Sequence, residues 1–304
     1  MLRVSDGTPI SYDGVMTQAI NFTRIEKSAE YTSDKYKLSL NRLSDYYQSE
    51  RLPNKMRSSD SERITLAVAF EDPVDVSTAT ETLKALKILL HYGWGSPRAD
   101  SIRVAGSKGS ARWHNSKLVT RKPKTSNLIV WLSYDDVSDF LRTAHDFIDY
   151  VLPLEHVVEV FDELISREVS TRYAITLLGT AIEHVFSNRG IDSQVGKEIY
   201  PYLEKELGVP SSLKKITDIS WNTYDKLKHR NLRDQRRVTI DVSNDDHAEL
   251  VSDYLALLLL TIILNESGYP SARNLLIDNI AHMHDRDGEI LHFSRFVHMA
   301  TQYS

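Results

Sequence analysis

VSTRYAITLLGTAIEHVFSNRG, Val169 to Gly190, is the stretch on which the fold turns. Ile175, Leu177, Leu178, Ala181, Ile182, Val185 and Phe186 recur at helical spacing and cover most sides of one helix. A helix apolar on most sides belongs at the centre of a helical domain. Gly190 is a C-terminal stop, because glycine tolerates the left-handed backbone that ends many helices. One carboxylate, Glu183, interrupts the apolar surface.

Working outward, helices continue on both sides. DDVSDFLRTAHDFIDYVLPLEHVVEVFDELIS precedes it, with a break expected at Pro153, which lacks an amide donor. QVGKEIYPYLEKELG, SSLKKITDISWNTYDKLKHRNLRDQ and DDHAELVSDYLALLLLTIILNESG follow, and the chain from Tyr269 reads as a helical tail. The longest near-apolar run, Tyr254 to Leu264, is well short of the roughly 20 residues that span a bilayer, so it is expected to be a buried helix. No strand pattern is evident after about residue 135.

Before that point the pattern is mixed. SERITLAVAFE (Ser61–Glu71) alternates and is rich in β-formers. SIRVAGSKGSARWH (Ser101–His114) reads as a hairpin turning at GSKG, and NLIVWLSYDD (Asn127–Asp136) as another strand. Between them DVSTATETLKALKILLHYGWG reads as one helix. Ser77 or Thr78 is its expected N-cap, Leu83, Leu86, Leu89 and Leu90 its apolar face, and Gly93 or Gly95 its end. NKMRSSDSER and SKLVTRKPKTSN read as polar loops. The expected fold class is α+β: a mixed α/β domain over residues 1–135, then an all-α bundle with a helical tail over 136–304.

Composition narrows the function. A net charge of −5 over 304 residues excludes a surface that is basic throughout, so any nucleic-acid contact must be local. The absence of cysteine excludes disulfides, thiolate catalysis and cysteine-ligated zinc. The N-terminus lacks the apolar core of a signal peptide, and a cytoplasmic protein without a membrane partner is expected. No Walker A, Rossmann or G-x-S-x-G motif is present, and no cofactor is expected.

The local basic element is KLKHRNLRDQRR, Lys226 to Arg237, where six of twelve positions are Lys or Arg. Three readings are open. They are a solvated helix end favoured by the macrodipole, a phosphate-binding strip made of Lys226, Lys228, His229, Arg230, Asn231, Arg233, Arg236 and Arg237, and a protein contact. Glu183 would support the strip across the bundle, since a buried carboxylate needs a cationic partner.

An apolar helix carrying Glu183, then a helix ending in Arg230–Asn231, then a strongly apolar helix resembles the HEPN superfamily, over about residues 140–268. The N-terminal layout, with LKILLHYGWG closing its helix, resembles the mixed domain of the ApeA-like subfamily. The resemblance implies a four-helix bundle in prokaryotic antiviral defence or toxin systems, a homodimer through the helical domain, and RNA, DNA or a partner protein as ligand. In active members an Arg is followed by a polar residue and, about four to six residues further, a His. Arg230 and Asn231 match the start, but the windowed positions are Gln235, Arg236 and Arg237. Neither Gln nor Arg serves as a general base near neutral pH. The resemblance therefore implies a degenerate nuclease, a binding or regulatory subunit rather than an enzyme, with Arg230 and Asn231 catalytic only if a His comes from elsewhere. An active metal-independent endoribonuclease and a purely structural subunit are the alternatives.

Other features have plainer readings. HMHDRDGEILHFSRFVHM (His282–Met299) has metal-binding residue types, but His282 and His284 are two apart and would face differently on a helix. It is expected to be a polar helix and turn. GSKG has the form of a backbone-gripping GxxG loop, and a hairpin turn explains it. Arg103, Arg112, Lys117, Arg121, Lys122 and Lys124 make the first domain locally basic. Trp94, Trp113, Trp131 and Trp221 are expected to be core or interface anchors.

Overall fold

The computed structural model describes residues 3–4, 9–15, 29–42, 63–70, 72, 74–94, 98–106, 109–113, 137–166, 169–229, 242–243 and 245–282. The chain is α+β and forms two compact units. Among the described residues, the first holds the strands with the first two helices, and the second holds the other helices. The expected strand at Asn127–Asp136, the two polar loops apart from Arg63, and all but His282 of the His-rich segment lie outside the described residues.

In the first unit β1 (Arg3–Val4) pairs with β6 (Val74–Asp75). The main sheet is antiparallel throughout and has the order β3-β4-β5-β2-β7-β8. Its strands are β2 (Pro9–Val15), β3 (Ala29–Thr32), β4 (Tyr36–Arg42), β5 (Arg63–Phe70), β7 (Arg98–Gly106) and β8 (Gly109–Trp113). The last two form the expected hairpin, with Gly106 facing Gly109. Alternation sets the buried face: Tyr36, Leu38, Val68 and Phe70 are buried, while Lys37 and Ala69 between them are half-exposed.

Helix α1 (Val76–Trp94) follows β6 directly. Ser77 and Thr78 therefore lie within its first turn rather than capping it, because β6 runs to Asp75 and leaves no earlier turn for them to close. Leu83, Leu86 and Leu89 are buried as expected, and Ala79, Ala85, Ile88 and Tyr92 widen the buried face. The widening also encloses Lys87 and His91. Burial, aided by the charge of Lys87, lowers the imidazole pKa of His91 to about 4.

Helix α2 (Val137–Val151) belongs to the first unit, where it packs on β3 and β4. Its stripe of Phe140, Leu141, Ala144, Phe147, Ile148 and Val151 is buried. Polar ties lock it to the sheet edge. Tyr36 Oη donates to His145 O (3.2 Å) and Asp149 Oδ1 (3.1 Å), and Lys35 reaches Asp149 at 2.7 Å. Residues 133–152 therefore group with the first unit and 124–132 with the second, unlike the single expected boundary at residue 135, since a helical pattern alone does not say which neighbour a helix packs against.

The second unit comprises α3 (Glu155–Ser166), α4 (Thr171–Asn188), α5 (Val195–Leu207), α6 (Ser212–Lys228), α7 (Asp245–Glu266) and α8 (Ala272–His282). The break around Pro153 separates α3 from α2. Ser170 caps α4 by accepting from Tyr173 N. At its other end Gly190, at φ 79°, lets Ile191 N reach back to Phe186 O at 3.0 Å, a Schellman closure. Helix α7 is the core: Val251, Leu255, Leu257, Leu259, Leu260 and Ile262 to Leu264 are fully buried. Its span His247–Glu266 is long and apolar enough to cross a bilayer, yet most of it is enclosed by protein. Helix α4 packs along it, and α6 and α8 also touch it.

Candidate functional site at the C-terminal end of helix six

The basic strip begins inside α6 and leaves it. Lys226 and Lys228 occupy the last turn, and His229 is the C-cap, donating its backbone N–H to Asp225 O at 2.9 Å. Cations are favoured there, where backbone carbonyls lack helical partners. Arg230, Asn231, Arg233, Arg236 and Arg237 lie outside the described residues.

Lys228 Nζ donates to Glu183 Oε2 of α4 at 2.5 Å, with both side chains about two-thirds buried. It also lies 5.6 Å from the Tyr224 ring centroid. Burial pulls the Lys228 pKa down, but the bonds to Glu183 and Tyr224 outweigh it and hold it above the usual 10.5. Tyr224 is fully buried against α4, and its hydroxyl lies 3.4 Å from Thr180 Oγ1. Burial, opposed by Thr180 and reinforced by Glu183, pushes its phenol up to about 12. At neutral pH this cluster thus holds an ammonium group and a neutral phenol, neither of which abstracts a proton.

Two glycines bring the helices close. A Cβ on Gly179 of α4 would come within 2.2 Å of the Tyr224 ring, and one on Gly196 of α5 within 2.2 Å of the Trp221 indole. Trp221 and Tyr224 pack ring to ring, with centroids 4.8 Å apart. Trp221 thus anchors α6 to α5 within one unit. Trp94, Trp113 and Trp131 lie where no side chain is described.

A cleft of about 980 Å3 opens between α5 and α6, beside this cluster. Glu183 and His229 stand at its border with the strip, and Trp221, Gly196 and Tyr200 line it. Asp218 and Glu204 also face it. Desolvation raises the Asp218 pKa above 3.8, with Lys214 partly opposing. His229 Nε2 lies 3.7 Å from Asp225 Oδ1.

Of the residues singled out by sequence, the structure joins Lys228 to Glu183 and sets His229 at the same helix end, while Lys226 is exposed. His184 turns away from Glu183, its ring meeting His156 of α3 at 5.8 Å. Sequence reasoning missed Thr180, Tyr224 and the cleft-lining Tyr200, Glu204 and Asp218. Only the small residues Gly179 and Gly196 within helical patterns hint at the close crossings. Comparison of the chain with protein-family models, curated proteins and solved structures gave no match.

Proposed function

We propose that the helical unit is a HEPN-like domain whose nuclease motif has degenerated, and that the protein binds RNA without cleaving it, as a regulatory subunit of a prokaryotic defence system. The observation that carries this reading is the Lys228–Glu183 pair at the end of α6. It holds the start of the most basic stretch of the chain at a helix end, as a permanent cation. A run of ammonium and guanidinium groups suits phosphate binding, whereas transesterification needs in addition a proton acceptor for the 2′-hydroxyl, which Gln235, Arg236 and Arg237 do not supply at the motif positions. Lys226, Lys228 and His229 begin the contact, and Arg230, Asn231, Arg233, Arg236 and Arg237 extend it in sequence. A homodimer through the helical domain would double the contact.

One observation favours the alternative of an active endoribonuclease. His229, beside the carboxylate of Asp225, is the imidazole of the strip. Labelled single-stranded RNA, incubated in EDTA at two salt concentrations with wild type, Arg230→Ala and His229→Ala, separates the readings. The expected outcome is salt-dependent binding without cleavage. Arg230→Ala should weaken it and flatten the slope of log K against log salt by about 0.7, one phosphate contact on a single strand. Cleavage lost in His229→Ala would instead establish the nuclease. Neither binding nor cleavage would leave a structural subunit.

A further inference from the structure

The cations in the last turn of α6 already hold carboxylates, which phosphate binding does not require. Lys228 Nζ donates to Glu183 Oε2 at 2.5 Å, and His229 Nε2 lies 3.7 Å from Asp225 Oδ1. Asp225 belongs to α6 itself, whereas Glu183 comes from α4, 45 residues away in the chain. In formal charge Glu183 and Asp225 offset Lys226 and Lys228, so the helix end is close to neutral. Past it the sequence is basic again, with Arg230, Arg233, Arg236 and Arg237 against Asp234.

Glu183 is placed to compete with a phosphate. Carboxylate and phosphate offer an ammonium group the same thing, anionic oxygens at hydrogen-bond distance. The backbone of Glu183 is fixed, because its neighbours Ile182 and Val185 on α4 are fully buried. The pair itself is not sealed in the core: the Lys228 and Glu183 side chains are 35% and 29% exposed, so a ligand can reach them. A phosphate gains Lys228 only by displacing Glu183 or by sharing the ammonium group with it. Sharing sets phosphate oxygens beside a carboxylate, where like charges repel.

We propose that Glu183 is a built-in brake on RNA binding, an internal anion on Lys228 that a phosphate must displace. This rests on the RNA reading of the strip and concerns how that site is regulated. It reverses the sign of the role expected for Glu183 from sequence: removing its charge strengthens the strip instead of weakening it. With Glu183 in place, Lys228 adds little to affinity or to its salt dependence, and the arginines past the helix end carry most of both.

Fluorescence anisotropy of the full chain with a labelled single-stranded RNA, over a range of salt concentrations, tests it. Glu183→Gln keeps the size and polarity of the side chain and removes its charge. It should tighten binding by about two- to fivefold, the range set by a partly exposed ion pair. It should also steepen the slope of log K against log salt by about 0.7, as Lys228 takes up one phosphate. Adding Lys228→Gln should abolish both gains. Glu183→Asp, which draws the carboxylate back by one methylene, should give a smaller gain, and it carries the test if circular dichroism shows Glu183→Gln unfolded. Unchanged or weaker binding by Glu183→Gln, with Arg230→Ala still weakening it, would overturn the brake and leave the RNA reading standing. A gain that survives Lys228→Gln would also overturn it, since Glu183 would then act by general repulsion and not through Lys228. RNA bound by none of these proteins would overturn the RNA reading, and the brake with it.

Discussion

Asp218 shows how a single residue ties the cleft to stability. Burial raises its carboxyl pKa above the ordinary 3.8, so its ionised form is less favourable in the folded than in the unfolded chain. A raised carboxyl pKa contributes stability that is fully present below 3.8 and lost as pH rises through the folded value. Asp218→Asn removes the cost of ionisation. Its melting temperature should exceed that of wild type at pH 7, by about one degree because the site is partly solvated. The difference should vanish below about pH 3.5, where the carboxyl is protonated in both states. Melting curves across pH check this, and a gain that persists in acid would trace the effect to packing instead. The residue type was visible in the sequence, but its burial was not, because it depends on α5 lying alongside α6.

Among the elements, the crossing of α4 with α6 is set by Gly179 and the Tyr224 ring. In the sequence Gly179 is one small residue in LLGTAIEH, and a helix interior disfavours glycine relative to alanine. The crossing reverses that preference. Gly179→Ala would drive a methyl into a fully buried ring and displace Tyr224 from Thr180 and Lys228. The expected cost is about 1–3 kcal/mol, read as a lower midpoint in urea unfolding at unchanged slope. A neutral or stabilising result would mean that α6 shifts freely relative to α4. Legibility differs sharply between elements. The helices from α3 onward follow from apolar spacing with Gly and Pro stops, which are local signals. Strand β2 did not follow, although it lies between β5 and β7 in the main sheet. Its residues PISYDGV carry no sustained alternation of apolar and polar side chains, and a glycine interrupts them. Its place comes from pairing with distant partners.

At the scale of the molecule, one compact unit takes in residues 1–123 and 133–152, and the other residues 124–132 and 153–304. A fragment of residues 153–304 contains α7 and every helix packed around it. It should fold alone, with helical circular dichroism and one cooperative thermal transition. A fragment begun at residue 136 carries in addition α2, whose apolar stripe packs on β3 and β4. Severed from that sheet, the stripe should make the longer fragment more prone to aggregate, as light scattering would show. Equal solubility of the two would mean that α2 finds cover without the sheet.

By itself the sequence determined which segments are helical, that Tyr254–Leu264 is buried, and that basic charge gathers after residue 226. Periodicity, capping glycines and charge runs are properties of neighbouring residues, and they survive without a partner. Tertiary structure alone decided that α2 joins the sheet, that β2 takes an inner position, and that Lys228 meets Glu183. It also decided that Trp221 of α6 packs over Gly196 of α5. Each of these joins residues far apart in the chain. The energy that selects them comes from close packing and desolvation between elements, which no local pattern records.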